Sequence, residues 1–448
     1  MKIRFVIFCI SLFSSFNSFT VNALSVIDLS LTNSELPQPE MKIDNNKKDN
    51  ESEKHPIDVQ IIIVKNPFST ARMNEIISID YKKLIKTEKR LTPIVKRKSG
   101  VLTSQLSDGN KDGIWDELLV ELSLLPNQTD TLELNWIESK KSDNIQKSTN
   151  IRFSYKSTTN LPMAEIEKSA RARGFAQNIS NPVYQMEGPG IENDKVAFRH
   201  FFDKRNGKDL FGKLTNKMIL EKAGLDGSWH ELRDWGMDIL RTGGSIGAGG
   251  IAVKENNIIY PLADADSTFF NQIEEGPLKA AYQMQFKNWD SGQTKVDGLE
   301  TVSIFKGDFF YTDKVKIKLN NKQKFICGMP GFASDTIFYT KHNSKFSTIY
   351  TYDKQADGTS SFLGLAVMFL TPLYAGHGKV NDKNQFIQSN YVELNHSEDN
   401  IQTYRFFACW EKTDSRFSTR KGFENYLQNI ADKLAHPIQL IFLSKNYP

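Results

Sequence analysis

Cysteine is almost missing from this 448-residue chain, and of its three cysteines Cys9 lies in an apolar N-terminal run. Only Cys327 and Cys409 are left for the folded part, which excludes a disulfide framework: the choice is one bridge between them or two buried thiols. Long apolar runs are missing as well. No segment after the N-terminus approaches the roughly 20 continuous apolar residues of a membrane-spanning helix. Nor does one sign of charge dominate. The net charge is +4, with lysines interspersed among acids, which argues against a nucleic-acid partner. There is no internal repeat, and few segments carry helical periodicity.

What is present begins with a leader. Lys2 and Arg4 precede the apolar run Phe5 to Phe13, and Val21 and Ala23 mark a cleavage point, so residues 1–23 read as a secretory signal peptide. Cys9 lacks the small residues that precede a lipidated cysteine, and the expected location is the periplasm, as a soluble protein. Residues 24–56 include "NSELPQPEMKIDNNKKDNESEKHP", polar and charged without apolar periodicity, and read as a flexible tether.

From Asp58 the dominant pattern is period two. "DVQIIIVKN", "TLELNWIES", "NIRFSYKS" and "DKVKIKLNN" read as short half-buried strands; in the last, Val315, Ile317 and Leu319 point one way and lysines the other. Turn signals such as "SDGNKDG" separate them. Near the end, Ser418 can cap a helix whose Phe423, Leu427, Ile430 and Leu434 form one stripe before Pro437. The fold class expected is mainly β: a large antiparallel β-sandwich or supersandwich, mutarotase-like, with a few helices. An N-terminal β region over 57–155 precedes a main sandwich over 156–448.

Three stretches carry chemistry. In "DGNKDGIWDE", the oxygens of Asp108, Asn110, Asp112 and Asp116 alternate around Gly113 at a spacing that can wrap a structural Ca²⁺. Leu119 stands where a full EF-hand loop has glutamate, and a plain acidic hairpin is the competing reading. In "KVAFRHFFD", strand geometry places Arg199 and Asp203 on a face with Phe201, with His200 on the other. Guanidinium between aromatics suits a sugar carboxylate, and an internal Arg–Asp pair is the structural alternative. "MEGPG" is a turn that presents Tyr184 and Glu187 to the same cleft. In "HELRDWGMD", a helical turn sets His230, Asp234 and Asp238 on one side, so that a carboxylate orients an imidazole for proton transfer; a hydrogen-bonded structural histidine is the alternative. The following "TGGSIGAGG" lacks dinucleotide-binding spacing and indicates tight turns or close backbone approach to a ligand.

"YQMEGPGIENDKVAFRHFFDKRNGKDLFGK", "WHELRDWGMDIL" with "GGSIGAGGIAV", and "DGNKDGIWDELL" together resemble a family of exported proteins of formerly unknown function from polysaccharide-degrading Gram-negative bacteria. The resemblance covers most of the chain after the tether. Some members are similar to dehydratases of ulvan oligosaccharides, which implies an acidic oligosaccharide substrate, no required cofactor, and loss of water across C4–C5 of a terminal uronate. Such a reaction needs the uronate carboxylate neutralised, a base for the C5 proton and an acid for the departing O4. Matched to those needs, Arg199 is the neutraliser with Arg241 second, His230 is base or acid with Tyr184 as its partner, and Asp234 orients the imidazole. Asp203, Glu187, Trp235 and His377, the last in "YAGHGK", complete the candidate substrate-binding set. A polysaccharide lyase would use the same groups, and a non-catalytic glycan-binding protein would need only the arginine and the aromatics. Oligomeric state is left open.

Overall fold

The computed structural model describes residues 59–443 except 85–90, 139–145, 179, 226, 228, 264, 335 and 355–359. The signal peptide and tether expected over 1–56 lie outside the described residues. Every strand pairing within the sheets is antiparallel, and the expectation of a large β-sandwich with little helix holds.

The backbone of the architecture is a nine-stranded sheet that runs, edge to edge, through Phe338–Lys341, Phe346–Lys354, Phe362–Leu370, Ile401–Trp410, Phe310–Ile317, Lys295–Phe305, Lys279–Asp290, Ser267–Glu274 and Lys168–Ala172. Its period-two sequences sort themselves onto two faces. Leu365, Val367 and Phe369 enter one core, whereas Ala366 and Met368 enter another. In Phe310–Ile317, Val315 and Ile317 are buried while Lys314 and Lys316 are exposed, as the alternation required. Each large apolar side chain so buried contributes roughly 1.5–3 kcal/mol.

Two five-stranded sheets pack on the first face. One runs Gly236–Asp238, Lys208–Lys213, Val196–His200, Gly190–Asn193, Thr149–Arg152; the other runs Ile258–Pro261, Gly250–Glu255, Gln323–Pro330, Ser389–Leu394, Tyr374–Val380. Both contribute to one shared core. The second face is covered by the helix Arg420–Ala435, which buries Phe423, Leu427 and Ile430 as its periodicity predicts. Thr419, not Ser418, is its cap: the Thr419 hydroxyl accepts from the Gly422 N–H at 3.1 Å. A smaller sandwich is formed by a five-stranded sheet containing Gln60–Lys65 and Thr129–Glu138 against the three strands Arg72–Asp80, Glu117–Leu124 and Ser104–Ser107. The strand Gln439–Phe442 returns to pair with Gln60–Lys65, so both ends of the described chain meet in one sheet.

Cys327 and Cys409 are both buried and free, one in each core. The glycine run starts at the surface with Gly243 and Gly244 and enters the interior at Gly247, Gly249 and Gly250. Gly249 has φ +72°, and a Cβ there would lie 2.0 Å from the Tyr311 hydroxyl. This close backbone approach lets Tyr311 and Tyr404 donate to the Ala248 and Gly249 carbonyls at 2.7 and 2.6 Å. Gly249 thus serves packing against a tyrosine, while Gly247 and Gly250 let backbone approach Lys208 and Ile246.

Candidate functional site

The five-stranded sheet that ends at Gly236–Asp238 has two unlike faces. Phe198 and Leu210 point into the shared core, whereas Ala197 and Phe211 point outward into a small cluster with Met186, Ile219 and Leu220. Arg199 lies on that outer face. Strand register sets Asp209 opposite it, and sets Asp238 opposite Phe211. The result is a guanidinium in contact with two carboxyls: Arg199 Nη2 donates to Asp209 at 2.7 Å and to Asp238 at 2.8 Å, and Glu187 lies 3.8 Å from Nη1. Aromatic rings wall it in, with Phe201, Trp229 and Phe211 centroids at 4.9, 5.0 and 5.5 Å.

Burial alone would depress the Arg199 guanidinium, but Asp209, Asp238 and Glu187 outweigh it and raise its affinity for the proton. Burial, joined by the charge of Asp209, pushes the Asp238 carboxyl well above the usual carboxylate range against the pull of Arg199. Asp209 is raised too, by burial, with Arg199 opposing. Two carboxyls on one guanidinium therefore tend to retain a proton between them. Next to this pair stands His230, whose side chain is 48% exposed; its Nδ1 lies 3.3 Å from the Asp238 carbonyl oxygen and 3.8 Å from the Asp238 carboxyl. Nε2 has no recorded partner among the described residues.

The segment that carries His230 is held by buried side chains of the sheet. Glu192 accepts from the Ile219 N–H at 2.8 Å, the Leu220 N–H at 2.9 Å and Lys213 Nζ at 2.8 Å. Gln185 donates to the Leu220, Glu221 and Ala223 carbonyls at 3.1, 3.2 and 2.9 Å. Further along, Trp229 stacks on Phe211 at 6.0 Å. Met186 and Glu187, both non-glycine, sit in the left-handed region at φ +56° and +62°. That backbone costs roughly 1–2 kcal/mol per residue and aims Glu187 between Arg199 and Arg205. Arg205 in turn chelates Asp203 through Nε at 2.9 and 3.0 Å and covers the Phe201 ring at 4.1 Å.

The residues singled out from sequence are thus only partly assembled. Arg199, Glu187 and Asp203 join one charge chain through Arg205, and His230 reaches it through Asp238. "HELRDWGMD" forms a turn leading into the strand Gly236–Asp238 rather than a helical turn, because Trp229 and Trp235 pack around Phe211. Asp234 is consequently exposed with no recorded contact to His230, and Asp238 takes that position. Trp235 meets Phe211 edge-on at 6.1 Å. Arg241 is exposed, away from any recorded partner among the described residues. Tyr184 is buried in the shared core against Phe153 and Phe202, on the other face of the sheet from His230, and burial raises its hydroxyl pKa. Arg199 and Asp203 do not pair directly; the internal ion pair is Arg199 with Asp209 and Asp238. Asp209, Phe211 and Arg205 were missed, although the alternation in "GKDLFGK" already set Asp209 and Phe211 on one face.

His377 lies elsewhere, on the edge strand Tyr374–Val380, where Nδ1 meets the Tyr374 hydroxyl at 2.6 Å and Tyr339 stacks on both rings at 4.6 and 5.7 Å. In the 108–116 loop the side-chain oxygens are turned to backbone N–H groups: Asp108 accepts from Gly113 at 2.9 Å, Asn110 from Asp112 at 2.8 Å, Asp112 from Ile114 at 2.8 Å and Asp116 from Gly109 at 3.1 Å. These Asx-type bonds are what an acidic hairpin uses. Among the described residues no cluster of three or more His, Cys, Asp or Glu side chains could hold a metal.

Residues 64–440 match the family described as a domain of unknown function, DUF4861. "Uncharacterized protein P7" of Formosa agariphila is 22% identical over 371 residues, which cover 76% of this chain and 81% of that protein. Two solved structures from Enterococcus faecalis are similar at TM-score 0.44: an alpha-mannosidase, 11% identical, and a protein of glycosyl hydrolase family 38, 10% identical. Each covers 87% of this chain, and the chain spans less than half of each, 46% and 48%.

Proposed function

The chain belongs to the DUF4861 family, and we propose that it is an exported carbohydrate-active enzyme that eliminates water across C4–C5 of a terminal uronate in acidic oligosaccharides such as ulvan fragments. The observation that carries this reading is the half-exposed His230 imidazole set against Asp238, itself bonded to the buried Arg199. His230 Nε2 takes the C5 proton, the C5 electron pair forms the C4–C5 double bond, and the imidazolium returns that proton to the departing O4, so that one water leaves. Asp238 orients the imidazole. Arg205, one-third exposed and anchored by Asp203 and Glu187, supports the uronate carboxylate, with the Arg199 charge behind it. Trp229 and Trp235 offer half-buried faces to a sugar ring. Tyr184, enclosed in the core, is left out of the proton relay.

A second location for the same chemistry is favoured by one observation, the 2.6 Å contact between the Tyr374 hydroxyl and His377 Nδ1 on an exposed edge strand with Tyr339 stacked alongside. Incubating the protein with uronate-terminated oligosaccharides while following ultraviolet absorbance and product mass tests the reaction. Rising absorbance with loss of one water and no chain shortening supports the dehydratase; two shorter products mean a lyase; binding without absorbance change means a glycan-binding protein. His230→Ala and His377→Ala then assign the location, since only the residue at the reacting carbon abolishes the absorbance change while leaving binding in place.

A further inference from the structure

A cleft of about 980 Å³ lies between the strand Arg72–Asp80, the helix Arg420–Ala435 and the second face of the nine-stranded sheet. It shares no lining residue with the His230 site. Its helix wall is mixed: Tyr426, Ile430 and Leu434 line it beside a polar row, Asn425, Asn429 and Lys433, that recurs at spacings of four.

The charges in this cleft do not cancel. Glu121 pairs with Lys306 at 2.8 Å and Asp194 with Lys195 at 3.2 Å. Glu75 is taken by Arg72 and Arg416 by Asp414, each at 2.7 Å. Arg405, Lys433 and Asp308 are left, and none of their side chains has a recorded ion pair or hydrogen bond among the described residues. Arg405 rests only over the Phe346 ring at 5.7 Å. Burial depresses its guanidinium to about 10, with Asp308 opposing. Burial raises Asp308 to about 7 against Lys433 and Arg405, so near neutrality part of its negative charge is withdrawn. A half-buried guanidinium that lines a partly open cleft without an ion pair or hydrogen bond of its own is free to receive an anion.

We infer that this cleft is a second ligand site, one that binds a small hydroxylated carboxylate, with Arg405 and Lys433 holding the carboxylate and Asn425, Asn429 and the Asp308 carboxyl meeting hydroxyl groups. The planar fork of Arg405 matches a carboxylate, and paired side-chain amides match the donor and acceptor character of sugar hydroxyls. The ligand would bridge the nine-stranded sheet and the helix. The inference is independent of any reaction at His230.

Titration calorimetry of the purified protein with D-glucuronate, D-galacturonate and D-gluconate, with D-glucose, acetate and sulfate as comparators, tests it. One hydroxylated carboxylate is expected to bind at one site per chain, more tightly than glucose, acetate or sulfate. Arg405→Gln and Lys433→Gln should each weaken it about tenfold or more, the usual loss for a charge-assisted hydrogen bond, Asp308→Asn should strengthen it, and His230→Ala should leave it unchanged. Lys433 lies on a half-buried helix face, so its variant decides the matter if Arg405→Gln does not fold. Absence of saturable binding, equal binding of glucose or sulfate, or binding that survives Lys433→Gln and any folded Arg405→Gln protein overturns the inference.

Discussion

Asp238 touches Arg199 at 2.8 Å through one carboxyl oxygen while its other oxygen stands 3.8 Å from the Nδ1 of His230. One side chain therefore couples a buried cation to a solvent-facing imidazole. For proton transfer at His230 the consequence is specific. His230→Ala should lower kcat by roughly 10²–10⁴, with substrate binding retained. Asp238→Asn should lower kcat, move KM little and displace the pH–rate profile, because it alters the orientation and charge around the imidazole. Steady-state kinetics across pH on uronate-terminated oligosaccharides checks both, and an unchanged profile in Asp238→Asn would remove Asp238 from the mechanism.

Arg199 carries a structural burden whether or not substrate reaches it. Replacing it with methionine strands Asp209 and Asp238 inside the protein, and breaking one side of such a buried pair costs about 3–5 kcal/mol. Urea unfolding of Arg199→Met should show that loss. Adding Asp209→Asn and Asp238→Asn should restore much of it, since the repulsion disappears with the charges.

Legibility in the sequence followed the range of the interaction. The strand Phe310–Ile317 and the stripe Phe423, Leu427 and Ile430 were readable because burial there follows a local period. Arg199 was readable as a charged residue among aromatics, but Asp203 joins it only through Glu187 and Arg205, the latter not singled out. Its true partners were not, because strand register, which is fixed by pairing across the sheet, chose Asp209 and Asp238. Asp234 misled for a related reason: Trp229 and Trp235 both pack on Phe211, and that long-range contact overrides the local helical spacing. Tyr184 shows the same limit, since nothing in "NPVYQMEG" reveals which face of a sheet its ring will join.

His200 reports acid stability. Its ring is fully buried, with Nδ1 3.1 Å from the Tyr282 hydroxyl and Nε2 3.2 Å from Asn206 Oδ1. Burial lowers its pKa to about 4, with Glu300 opposing. The unfolded chain, with an ordinary histidine, binds the proton from about pH 6.5 downward, so this contribution to stability is fully present above 6.5 and is lost as pH falls toward 4. The shift corresponds to roughly 3 kcal/mol. His200→Gln keeps hydrogen-bonding capacity without the titration, and its unfolding free energy should fall less than that of the parent protein between pH 6.5 and 4.

Glu192 separates the geometry of the candidate site from its chemistry. It is buried, contacts no residue assigned to proton transfer, and ties the Ile219 and Leu220 N–H groups and Lys213 to one carboxylate. Glu192→Ala leaves two backbone donors and an ammonium without their acceptor, each buried loss costing about 1–3 kcal/mol. The segment from Ile219 to Asp238 should then exchange its amide hydrogens faster, and limited proteolysis should cut first within it. If His230 acts through fixed placement over Asp238, kcat falls together with that loosening, and Glu192→Gln, which can still accept from the two N–H groups, recovers part of both. Loosening without any fall in kcat would show that the chemistry lies away from this segment, and would turn attention to the Tyr374–His377 pair on the far edge strand.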